Sequence, residues 1–244
     1  MDWHARYQQQ ARWTQNTRDY LLKHAGLDTA KRILEVGCGT GALWEHFSTP
    51  AGASRHGLDL NLDSTKQARA NAPGLCAVNA AGEHLPYADA CFDLTFCHYL
   101  LLWVKDPGLV LREMARVTRP GGAILALAEP DHVGRIDHPP ELQPLGAWQT
   151  AALVRQGINP RMGRELAGVF AGAGITLIEN GVIGGGWSVP STAETEMEWV
   201  VLEADLAGSV PAQDIHQMRN LDKQARSVGS RVLFVPTFYA WGRV

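Results

Sequence analysis

The segment ILEVGCGTGALWEHF, residues 33–47, constrains this chain more than any other. An apolar run stops at three glycines, Gly37, Gly39 and Gly41, and a helix-like pattern begins at once. Each glycine loses more backbone entropy on ordering than another residue would, so their clustering needs a reason. The order strand, glycine-rich turn, helix lets backbone come close to a ligand, where a side chain at Gly37 or Gly39 would obstruct it. The following helix presents unpaired N–H groups to whatever docks there. A carboxylate, Asp59, closes the next apolar run. An acid at the end of a second parallel strand can accept hydrogen bonds from two ribose hydroxyls. A glycine triplet alone is a weak signal; triplet and acid in this order read as a nucleoside site.

Apolar, strand-like runs at 32–36, 55–60, 75–80, 92–98 and 123–129 alternate with helix-like stretches. This alternation predicts an α/β fold with a parallel, doubly wound sheet, covered by helices on both faces. Asp106 and Pro107 read as the N-cap and first position of a helix that Arg119-Pro120-Gly121-Gly122 ends. Ser191 and Glu194 form a capping-box pattern ahead of a helix whose Met197, Val200, Val201 and Ala204 share one face. Residues 231–244 read as a closing strand. At the N-terminus, Trp3, Tyr7, Gln10, Thr14, Thr17 and Leu21 fall at helical spacing, which predicts one cap helix within residues 1–29. Residues 130–163 are too long for an ordinary strand-to-helix connection and predict an inserted helix within 140–157, in a lid segment spanning 131–163. The expected organisation is a single domain, 1–244. It comprises the cap helix (1–29), a nucleoside-binding core (30–130), the lid (131–163) and a C-terminal part of the sheet with a helical insertion (164–244).

Charge and cysteine usage exclude several classes. The chain has 244 residues and a net charge of −3, with no long basic run, so the electrostatic footprint of nucleic-acid binding is missing. Cys38, Cys76, Cys91 and Cys97 form no Cys-x-x-Cys pair, which argues against zinc and redox motifs. The polar N-terminus lacks a signal-peptide core, and no run reaches the ~18 apolar residues of a membrane span. The expected location is the cytoplasm. Nothing in the pattern reports an oligomeric state.

The loop reads Gly-x-Gly-x-Gly, not the Gly-x-Gly-x-x-Gly of dinucleotide sites, and no further phosphate-binding glycine or basic residue follows. Glu35, two positions before the loop, would repel a pyrophosphate but suits a ligand with a cationic centre. The site looks built for an adenosine without phosphates.

ILEVGCGTG resembles motif I of class I S-adenosylmethionine-dependent methyltransferases, and the likeness runs through residues 30–130. GLDLN resembles the second-strand motif that ends in the ribose acid. Glu83, Leu85, Pro86, Phe92, Asp93, Arg116, Val117, Pro120, Gly121 and Gly122 match, in order and spacing, the later motifs of the small-molecule, UbiE-like branch. The resemblance implies a Rossmann-like, mostly parallel seven-stranded sheet of order 3-2-1-4-5-7-6 with the last strand antiparallel. It implies S-adenosyl-L-methionine as cofactor, S-adenosyl-L-homocysteine as product and a small-molecule methyl acceptor.

It also implies the cofactor contacts. Gly37, Cys38, Gly39 and Gly41, with Glu35 before them, would line the methionine and ribose part. Asp59 would hold the ribose, and Leu60 would pack on one adenine face. Ala81, Gly82 and Glu83 would run along the adenine edge, with Cys97 and His98 near the methyl donor. Ala81 departs from the family pattern, which has an aspartate there for the adenine amino group. If the acceptor needs deprotonation, His98, His132 and Tyr7 are candidate bases; His98 also reads as a structural histidine. Asp131, His132, Asp137 and His138 match no metal spacing and read as a polar loop, so no metal is expected. Arg135 reads either as a holder of a substrate carboxylate or phosphate or as a solvated arginine. Two other functions compete: a non-catalytic S-adenosylmethionine-binding protein and, on a different chemistry, an NAD-dependent oxidoreductase.

Overall fold

The computed structural model describes residues 2–184 and 190–244. Its strands are β1 (Arg32–Val36), β2 (Ser54–Asp59), β3 (Leu75–Asn79), β4 (Phe92–Cys97), β5 (Thr118–Pro130), β6 (Ile136–His138), β7 (Thr176–Ile183), β8 (Val232–Phe234) and β9 (Thr237–Arg243). Its α-helices are α1 (Trp3–Trp13), α2 (Gln15–His24), α3 (Leu62–Asn71), α4 (Pro107–Val117), α5 (Gln143–Arg155), α6 (Met162–Gly172), α7 (Thr192–Leu206) and α8 (Ala212–Ser227).

Seven strands form one sheet in the order β3-β2-β1-β4-β5-β9-β7. β9 runs antiparallel to both its neighbours, β5 and β7, while β1 to β5 pair in parallel. Counted within this sheet alone, the order is 3-2-1-4-5-7-6. The chain numbering departs from that because β6 and β8 pair apart as a separate antiparallel ribbon. The closing run is therefore two strands, interrupted at Val235-Pro236, where proline cannot donate to a ladder.

Alternation along the strands feeds two cores. Leu34, Val36, Ile124 and Ala126 pack on one face with Leu111, Met114 and Phe170; Ile33, Phe96, Leu125 and Leu127 pack on the other with Leu21, Trp44 and Trp241. At the amino end of the sheet, Asp93 accepts from the Lys31 and Arg32 backbone N–H groups at 2.8 Å and from Arg119 Nε at 2.6 Å. This ties β1, β4 and β5 together, so Asp93 is a stitch in the frame. Asp106 caps α4 through Leu109 N at 2.8 Å, with Pro107 in its first turn. The Ser191–Glu194 capping box is also present.

Three local expectations are overturned. The glycine loop leads into a 3-10 turn, Ala42–Glu45, instead of an α-helix. Ala42, Leu43 and Trp44 are all buried there, so three consecutive side chains need the core, and Pro50 and Gly52 follow too soon for a long helix. The N-terminal helix is two helices, broken at Thr14, whose hydroxyl bonds back to Gln10 O and Ala11 O at 3.3 Å. Its buried stripe is Gln9, Ala11, Thr14, Arg18, Leu21 and Leu22, while Trp3 is exposed. In α7 the buried face is Trp199, Leu202 and Leu206; Val200 and Ala204 face outward. The large indole selects which apolar stripe turns inward. Apart from these, α5, α7 and α8 enclose a small core of their own, built from Leu142, Leu145, Trp199, Leu202, Leu206 and Ile215. Gly185, Gly186 and Trp187, in the glycine-rich stretch of sequence after Ile183, lie outside the described residues.

Candidate functional site

At the carboxyl ends of β1 and β2 the chain folds sharply back. Leu58 O accepts from Gly37 N at 2.7 Å and from Cys38 N at 2.9 Å. Gly39 N donates to Asp59 Oδ2 at 2.9 Å. Gly37, Gly39 and Gly41 all have positive φ, +77°, +49° and +79°. The neighbours that a Cβ would meet differ at each position. At Gly37 it would lie 2.7 Å from Leu100 Cδ1, at Gly39 3.1 Å from the Tyr7 ring, and at Gly41 3.0 Å from Ala68 Cα of α3. Gly41 is therefore required by helix packing, and the first two by side chains that close over the loop.

Asp59 keeps acceptor capacity at the end of β2. Its Oδ1 accepts from Asn61 N at 2.8 Å and its Oδ2 from Gly39 N, which leaves each oxygen a lone pair. The Asn79 amide fixes the turn by donating to Asp59 O and Leu60 O. Leu60 is 76% exposed, an apolar side chain standing free beside the acid. Ala81 and Gly82 follow β3 on the same side. Gly82 lies against Val36 and Val110, and the Ala81 side chain offers no acceptor. Glu83 is half-buried.

Glu35 is 2% exposed, and its Oε2 has no hydrogen-bond partner among the described residues. Burial pushes its carboxyl up to about 8, against the pull of Trp44 and Arg18. A buried carboxyl with an idle oxygen is what a cationic ligand group would complete. Cys38 packs against Gly57, and Cys97 is fully buried. Burial raises both thiols, so neither is a thiolate at neutral pH.

α1 roofs this cleft. His4 Nδ1 lies 2.8 Å from Thr40 Oγ1, and Gln8 Nε2 donates to Glu45 at 3.0 Å. Tyr7 covers Gly39, and burial and the nearby Asp59 raise its phenol. Thr14 Oγ1 lies 3.0 Å from His98 Nε2. Burial and Arg18 lower His98 to about 3, so its ring is neutral and weakly basic. Tyr99, next in the chain, has φ +53° and its ring centroid is 4.6 Å from that of His98. Such a backbone is uncommon outside glycine and clusters at functional sites.

The structure thus sets Tyr7 of α1 on the glycine loop and His98 against Thr14 at the other end of that helix, with His132 on a separate turn. His132 sits on a turn anchored through its backbone N–H to Pro160 O, and burial and Arg135 lower it to about 4. Its loop partners are engaged elsewhere. Arg164 Nε bonds Asp131 at 2.6 Å, and Asp137 is bracketed by Arg135 Nε and Arg231 Nη2, each at 2.7 Å. The Arg135 side chain is buried and all three of its nitrogens are engaged: Nε and Nη2 bond Asp137, and Nη1 donates to Gln149 Oε1 at 2.6 Å. One residue at the site escaped the sequence reading. Glu129, fully buried at the end of β5, accepts from Leu100, Leu101 and Leu102 N at 3.0, 2.9 and 3.2 Å. It shapes the turn that sets Leu100 on Gly37. An acid ending an otherwise apolar strand was its available signal.

Residues 34–126 match a family model described as a methyltransferase domain. A malonyl-[acyl-carrier protein] O-methyltransferase from Erwinia pyrifoliae is 38% identical over 122 residues, covering 49% of this chain and 45% of that protein. A demethylmenaquinone methyltransferase from Renibacterium salmoninarum is 33% identical, covering 49% of each. The chain spans about half the length of these curated relatives. A crystal structure of a putative methyltransferase from Bacillus halodurans superposes with a TM-score of 0.62 at 16% identity, covering 93% of this chain and 97% of that one; this likeness shows the fold. Over residues 34–126 the chain resembles a methyltransferase domain, and the curated relatives it matches across that stretch are named methyltransferases.

Proposed function

We propose that this protein transfers a methyl group from S-adenosylmethionine to a small-molecule acceptor. The observation that carries the reading is Glu35, a buried carboxyl with an unpartnered oxygen beside three positive-φ glycines and a ribose-competent Asp59. Glu35 and the glycine loop would hold the methionine portion, Asp59 the sugar, and Leu60 one face of the base. Bound there, the cofactor supplies a sulfonium-activated methyl: the acceptor's lone pair bonds to the methyl carbon while the carbon–sulfur bond breaks and leaves its electrons on sulfur.

The departing thioether is neutral, so no residue has to protonate it. The protein's part is to exclude water and align the two groups, which by itself lowers such barriers by about 7–11 kcal/mol. Tyr7 and Leu100 close over the loop and Tyr99 borders the donor end. Neither His98 nor His132 is poised near neutrality, with values of about 3 and 4. Whether the attacking atom is oxygen, nitrogen or carbon follows from the acceptor. A net charge of −3 supports an acceptor other than nucleic acid, and four free cysteines fit a reducing compartment such as the cytoplasm. Among the described residues, no helix is long and apolar enough to cross a membrane.

Calorimetry tests the cofactor: S-adenosylhomocysteine should bind and NAD should not. Mass spectrometry of a host metabolite extract incubated with isotope-labelled cofactor should then show a labelled product. Binding without any labelled product would favour the non-catalytic alternative, and NAD binding would defeat the methyltransferase reading.

A further inference from the structure

Beside the roofed cleft, on the face of α1 next to Tyr7, two hydrogen-bond donors lack the partners their surroundings call for. Gln9 is fully buried; its Oε1 accepts from Arg6 Nη1 at 2.7 Å, which fixes the amide beside the guanidinium, and its Nε2 has no partner. A buried amide N–H without an acceptor is expensive to keep. Arg6 stands over the Trp13 ring, 4.8 Å from its centroid, and burial lowers its pKa. Among the described residues no carboxylate comes within ion-pair distance of it, whereas Arg226 and Arg231 in this region each have carboxylate partners.

The acids nearest in the field are Glu198 and Asp205 on α7, with the Tyr99 phenol beyond β4. Each acid has its own partner: Arg226 Nη2 lies 3.7 Å from Glu198, and Gln149 Nε2 donates to Asp205 at 3.0 Å. They steady the guanidinium from a distance without occupying its N–H groups.

We propose that Arg6 and Gln9 receive a carboxylate of the methyl acceptor, which makes the acceptor an acidic small molecule. The planar guanidinium offers two parallel donors in the geometry a carboxylate matches, and Gln9 Nε2 adds a third from the same helix. Tyr99 places this cluster beside the end of β4, and Tyr7, adjacent in sequence to Arg6, covers the glycine loop. An acceptor held here would share the α1 roof with the glycine loop that Tyr7 covers. The proposal rests on the methyltransferase reading for the word acceptor, but the anion site itself does not.

The test uses acetate as probe, with acetamide as its uncharged counterpart, on isotope-labelled full-length protein. The expected result is a saturable shift of the Gln9 side-chain amide and the Arg6 Nε–H resonances with acetate, at a dissociation constant about tenfold or more below that of acetamide. In Arg6→Gln the preference should vanish, and in Arg6→Lys it should be partly kept, with an unchanged melting temperature reporting an intact fold. Acetate that leaves both resonances unmoved, or acetamide that moves them equally, overturns the proposal on the wild-type protein alone. Calorimetry with S-adenosylhomocysteine on the same samples separates the two readings: if it fails to bind while acetate shifts Gln9, the methyltransferase reading falls and the anion site stands.

Discussion

The sheet with its glycine loop and the helical cap of α5, α7 and α8 are held by different forces. In the sheet, the positions that matter are set by backbone: positive-φ glycines, N–H groups folded onto Leu58 O, and a carboxylate reached through Gly39 N. In the cap, arginines and aspartates far apart in sequence are interleaved out of water. Arg135 pairs with Asp137, Asp137 with Arg231, Arg231 with Asp222, and Asp222 with Arg226 and the Trp199 indole N–H. The first region is specified by backbone rules local to each turn; the second is specified by a chain of charges whose members are spread from residue 135 to residue 231.

The largest effect should come from breaking the cap. Asp222→Ala leaves two arginines and an indole N–H without their buried partner, which should cost about 3–5 kcal/mol in urea unfolding. The same variant should bind S-adenosylhomocysteine within about threefold of wild type if the two regions are independent. A larger loss in calorimetry would erase the distinction. Next, Gly39→Val forces a branched residue to φ +49° with its Cβ against Tyr7. S-adenosylhomocysteine affinity should fall about a hundredfold by calorimetry, given about 1–3 kcal/mol for such backbone strain plus the lost approach.

Glu35 gives a graded effect. Its folded value of about 8 lies above the ordinary 4.5, so the stability tied to its neutral form is complete below pH 4.5 and declines as pH rises through 8. Glu35→Gln should flatten that part of the melting-temperature profile. In the wild type at pH 7, binding the cationic cofactor should release up to about one proton, seen in calorimetry across buffers of different ionisation enthalpy, and Glu35→Gln should release none. The smallest effect is expected at the adenine edge: Ala81→Asp adds one acceptor, worth about 1 kcal/mol, and should tighten cofactor binding about fivefold.

The sequence disclosed the regions that follow short-range rules. β1 to β5 are apolar runs because both their faces are covered, and the Asp106 and Ser191 caps are local signatures. The glycine triplet and Asp59 were visible as a pair because the turn between strand and loop fixes their spacing. What stayed hidden depends on distant partners. Asp137 and Arg231 are 94 residues apart, so nothing in either neighbourhood announces their pairing or that Arg135 is already spent on Asp137. α7 carries apolar residues on more than one face, and only the docking of Trp199 decides between them. Glu129 looked like a strand end because its three backbone donors belong to the turn after β4.

Tyr7 and Arg6 are consecutive residues of one eleven-residue helix. The first lids the loop assigned to the donor; the second faces the carboxylates of α7. A helix of that length moves as a rod, so any swing that uncovers Gly39 also displaces the guanidinium. The lid over the loop and the guanidinium are therefore mechanically linked through a single short rod.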